Sequence, residues 1–162
     1  MFSERYNTIP GAPLEIIAEA GKVVDVISFQ PYEKLLKGDI LDQVHAMTGK
    51  PIILSDWSLS FPVEGHKNTM WPQFPTPAEA ARGYEAYLAS AFAKPYILGY
   101  YKCQYRDAVL PIGQLKQGLR TTDGDLRKDW AQSLADIHGK LIAEFDSRTS
   151  ANPSAAAGKP KR

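Results

Sequence analysis

Apolar positions along the chain alternate between two patterns. Short, mostly apolar runs at residues 23–28, 51–56 and 96–101 read as strands covered on both faces, as parallel strands are. Between them, apolar residues recur at helical spacing. Leu14, Ile17 and Ala18 mark a short helix over 13–20. Leu35, Leu36, Ile40, Leu41, Val44 and Met47 mark a second, closed by Gly49 and Pro51. Thr76-Pro-Ala-Glu79 has the form of a capping box with proline at the first helical position. It opens a helix with Tyr84, Tyr87, Leu88, Ala91 and Phe92 inward. Asp125 is a candidate cap for a last helix carrying Trp130, Leu134, Ile137, Leu141, Ile142 and Phe145. The order α-β-α-β-α-β-α implies parallel strands joined by right-handed crossovers.

Composition narrows the class. The chain has 162 residues, 44% of them hydrophobic, and a formal net charge of +1. That balance offers no electrostatic footprint for nucleic acid or an anionic membrane. No apolar run approaches the ~20 residues needed to span a bilayer. The N-terminus has no basic region followed by an apolar core, so localisation is not readable here. Cys103 is the single cysteine, and His45, His66 and His138 match no ligand spacing, so no metal or cofactor is expected. No phosphate loop, Gly-x-Ser-x-Gly elbow or dinucleotide fingerprint occurs. From about residue 147 the chain is Ser/Ala/Pro/Lys-rich and reads as a disordered tail.

Two strand-to-helix connections, roughly 57–75 and 102–124, are long. They carry Trp57, His66, Asn68, Trp71, Gln73, Gln104, Tyr105, Arg106, Asp107 and Gln114. Loops of that length are usually functional or disordered, and these leave the carboxyl ends of the strands, where α/β folds place their chemistry. Flat rings with amides and carboxylates suit a sugar. Asp56 ends the central strand. Position alone leaves two roles open to it, a reactive carboxylate or a turn former paired with a nearby arginine.

Several stretches together resemble the C-terminal part of agarase-like and β-galactosidase-like (β/α)₈ glycoside hydrolases. They are residues 24–32, 48–58, Gly83-Tyr84 and residues 99–107. The resemblance implies an α/β fold, a partial (β/α)₈ barrel in which these are strands 6–8 with their helices. Ser3-Glu-Arg-Tyr6 would be the exit of the fifth strand. Residues 1–146 would form the barrel portion and 147–162 the tail. Asp56 then takes the place of the nucleophile of a retaining mechanism. Gln30 or Tyr32 would orient it, and Gln30, Tyr32, Trp57, Gln104, Tyr105 and Asp107 would contact sugar. The family normally has glutamate at the nucleophile position. It often has a tryptophan where Lys102 stands.

The resemblance also implies that the first four strands, and the acid/base with them, lie outside this sequence. The chain is then a fragment, a truncated frame, or a half that pairs with another chain. Its expected partners are a carbohydrate, such as agarose or a related β-linked galactan, and a missing N-terminal half-barrel. A non-catalytic carbohydrate-binding or scaffold relative is the competing reading. A free-standing flavodoxin-like domain ranks last, since no phosphate loop is present.

Overall fold

The computed structural model describes the backbone of residues 3–7 and 9–151, and the side chains of 9–147. Four strands form one parallel sheet in chain order: β1 (Ser3–Asn7), β2 (Val26–Gln30), β3 (Ile52–Trp57) and β4 (Ile97–Lys102). Helices α1 (Leu14–Ala20), α2 (Gly38–Thr48) and α3 (Pro77–Phe92) connect them, and α4 (Lys128–Ala151) follows. The protein is thus α/β with a small parallel sheet. The three strands read from sequence lie side by side in the expected order.

The caps explain where helices stop and start. The Thr76 hydroxyl accepts from the Glu79 N–H at 3.2 Å and donates to the Glu79 carboxylate at 2.7 Å. Gly49 ends α2 at φ 64°, a conformation that favours glycine. Asp125 is not a cap. Its N–H bonds the Thr121 hydroxyl in a turn at 3.1 Å, and α4 begins only at Lys128. At the other end the α4 backbone continues to Ala151. The rest of the expected tail, 152–162, lies outside the described residues.

The core lies between sheet and helices. Ile27, Phe29, Ile52 and Leu54 from the strands meet Leu41 and Val44 of α2 and Tyr84, Tyr87 and Leu88 of α3. Trp130, Leu134 and Leu141 of α4 extend it, and α3 packs on α4. The 102–124 connection contains its own antiparallel hairpin, β5 (Ala108–Val109) with β6 (Leu115–Lys116), which the sequence pattern does not foretell. β4 forms one edge of the sheet. An apolar groove of about 530 Å³ runs between it and α4, and Leu98, Ile142 and Phe145 on its walls are exposed.

Candidate active site

Parallel strands run in one direction, so β2, β3 and β4 open together at their carboxyl ends. A pocket of about 520 Å³ lies there. Asp56 forms part of its wall and has φ 53°. A residue with a Cβ enters that left-handed region at a cost of roughly 1–2 kcal/mol, and aspartate tolerates it better than most. The twist interrupts the alternation of strand faces. Ser55 and Asp56, though adjacent, both line the pocket, and the ladder to β4 shifts register between Leu54 and Trp57.

Gln30, the last residue of β2, donates its amide to Asp56 Oδ2. The Lys116 ammonium stands 3.7 Å from Asp56 Oδ1, with the two side chains 23% and 20% exposed. Lys116 arrives on β6. The Gln104 amide donates to the carbonyls of Arg106 and of Lys116, the latter at 3.1 Å, and so pins the hairpin to the end of β4. Ser28 and Ser55 share a hydroxyl hydrogen bond of 2.7 Å on the same wall.

Lys102 and Cys103 complete the β4 side. The Lys102 ammonium donates to the carbonyls of Gln104 at 3.3 Å and Gln117 at 3.4 Å. Burial pulls its pKa down to about 8. Burial first, then Asp56, pushes the Cys103 thiol up, which keeps it protonated at neutral pH. For Lys116, burial opposes the charged form, but Cys103, Asp56 and Tyr32 outweigh it and raise the pKa. Both lysines are therefore largely cationic near pH 7.

Of the residues picked from sequence, Asp56, Gln30 and Gln104 come together. Gln30 donates to Asp56, and the Lys116 ammonium and the Cys103 thiol also face its carboxylate. Tyr32 stacks on Trp71 with ring centroids 5.2 Å apart, and the Lys116 ammonium lies 5.6 Å from the Trp71 ring. That pair flanks the pocket.

Three expected sugar contacts are placed elsewhere. Trp57 is 0% exposed. Its ring stacks on Tyr87 at 4.1 Å and leans on Tyr84, leaving no face for a ligand. Asp107 is bound twice by Arg127, at 2.7 and 2.5 Å, and accepts the Gly118 N–H at 2.7 Å. Its carboxylate, 5% exposed, ties the 102–124 connection to the start of α4. Tyr105 is exposed and accepts from Arg120 Nε at 2.7 Å, and it does not line the pocket. Sequence reasoning missed Ser28, Ser55, Cys103 and Lys116 as site residues. Only the strand-end position of Ser55 was a usable signal.

No family model and no curated protein matches the sequence. The fold does match solved structures. An exo-β-agarase superposes with a TM-score of 0.76 at 20% identity, over 88% of this chain and 20% of its own. The agarase AgWH50C gives 0.72 at 18% identity, over 83% and 20%. The protein BpGH50 gives 0.77 at 16% identity, over 89% and 32%. The likeness is one of fold, and this chain spans only 20% to 32% of the length of those structures.

Proposed function

We propose that this chain is the C-terminal portion of a (β/α)₈ glycoside hydrolase that acts with retention on a β-linked galactan such as agarose. The observation that carries the reading is Asp56, held by Gln30 and Lys116 in a pocket at the carboxyl ends of parallel strands. The agarase-like fold around that pocket supports it. In this role the Asp56 carboxylate attacks the anomeric carbon, and a second carboxyl about 5–5.5 Å away protonates the leaving oxygen. Among the described residues no second acid lines the pocket. The acid/base therefore comes from a further barrel segment. The open edge of β4, with Leu98, Ile142 and Phe145 exposed beside it, is where that segment would pack.

A second reading is a carbohydrate-binding relative without turnover. The ion pair between Lys116 and Asp56 favours it, because a carboxylate held by a cation is a weaker nucleophile.

The purified chain, incubated with agarose and with aryl β-galactosides, is the first test. Oligosaccharide should raise its melting temperature, since a ligand that binds only the folded state stabilises it. Hydrolysis should be undetectable, because general acid–base assistance is worth ~10²–10⁴-fold. Robust turnover abolished by Asp56→Asn would place a complete site within this chain. Absence of any stabilisation would refute a carbohydrate role.

A further inference from the structure

We propose that the pocket selects a glycan unit bearing a negative charge, a sulfate ester or a uronate carboxylate, and that Lys102 and Lys116 read that charge. The proposal rests on the carbohydrate reading above and goes beyond it to the substrate class.

The residues lining the pocket include two lysines and one aspartate among the described residues. An ammonium has three donors. The two carbonyl contacts of Lys102, at 3.3 and 3.4 Å, are longer than the 2.7–3.2 Å range of good N–H···O bonds, and they leave the third proton unused. Lys116 stands 3.7 Å from Asp56, longer than a hydrogen bond, and also faces the Cys103 thiol and the Trp71 ring. A neutral sugar would cover these groups and leave the surplus positive charge desolvated, which is unfavourable. An anionic substituent would neutralise it.

Lys102 strengthens the argument by its cost. It is held in a place where burial disfavours its charge. An apolar side chain of the same length would fill the space without that penalty. In the same pocket the Ser28 and Ser55 hydroxyls supply neutral partners for the remaining sugar hydroxyls. Lysine is a point charge without the forked geometry of arginine, so it serves a sulfate or a carboxylate equally well.

The test is calorimetric titration of the full chain with three matched oligosaccharides: a neutral agaro-oligosaccharide, a sulfated galactan oligosaccharide and a galacturonate oligosaccharide. At least one anionic ligand should bind about tenfold or more tightly than the neutral one, in line with hydrogen bonds to charged groups. That margin should shrink as salt is raised. Lys116→Gln and Lys102→Met should each remove most of it, with melting curves confirming that both variants fold. Whichever anion gains more identifies the source of the charge. Equal binding of neutral and anionic ligands would overturn the charge selection and leave the carbohydrate reading standing. An anionic advantage unchanged in both variants would also overturn it. Binding of none of the three would overturn both readings.

Discussion

The side-chain amide of Gln30 reaches across from β2 and donates to the carboxylate of Asp56 on β3. Gln30 ends β2 and Asp56 is the penultimate residue of β3, so the contact follows from the shared strand direction and from the spacing of about 4.8 Å between neighbours. It fixes the orientation of the one acid that lines the pocket among the described residues.

Gln30→Leu keeps the size of the side chain and removes the donor. Asp56 loses one charge-assisted hydrogen bond, worth about 1.5–3 kcal/mol. The variant should show that loss in urea unfolding at neutral pH. Gln30→Glu should cost more, because it sets a second carboxylate against the first. If neither change alters stability, the Gln30–Asp56 contact carries no weight in the folded protein.

Trp57 adjoins Asp56 in sequence but belongs to the core. Replacing it with alanine opens a large cavity against Tyr84 and Tyr87, and such losses run to about 3–5 kcal/mol. Trp57→Phe should retain most of the packing and leave glycan affinity unchanged. A Trp57→Phe protein of near-normal stability with lost glycan binding would return the ring to the site.

Lys102 gives a pH signature. Its folded pKa, about 8, lies below its ordinary 10.5, so the unfolded chain binds more protons between those values. Stability from this residue therefore rises with pH across that window and is lowest below pH 8. Cys103, Arg127 and Asp107 also face the ammonium and contribute their own charges. Comparison with Lys102→Met isolates the lysine. The variant should be the more stable at pH 7, by about 1–4 kcal/mol in the manner of other buried charges replaced by apolar residues. The difference should fade as the pH approaches 10.5. A constant difference from pH 7 to 10.5 would mean that Lys102 does not titrate in the window.

β2 was legible in sequence because a parallel strand buried along its length leaves a near-continuous apolar run, whereas β4 carries such a run at the sheet edge with Leu98 and Tyr101 exposed. Even β2 begins later than its pattern. Val23 is exposed in the turn after α1, and β2 starts at Val26. The position of Asp56 was legible from the end of such a run. The side assigned to Trp57 was not, because it depends on the left-handed backbone at Asp56 that breaks the alternation. Lys116 was invisible for a different reason. A two-residue strand in a long connection has no periodicity, and its place follows from the Gln104 amide folding the hairpin back. Asp107 reads in sequence as a sugar contact because its partner, Arg127, lies 20 residues away.

The most direct test of the central claim is backbone amide NMR of the labelled chain during titration with galactan oligosaccharides, neutral and sulfated. The account predicts shifts concentrated at Ser55, Asp56, Cys103, Gln104 and Lys116, weakened by Lys116→Gln. Shifts confined to the groove around Leu98, Leu141 and Phe145, or none at all, would contradict the assignment of the Asp56 pocket as the glycan site.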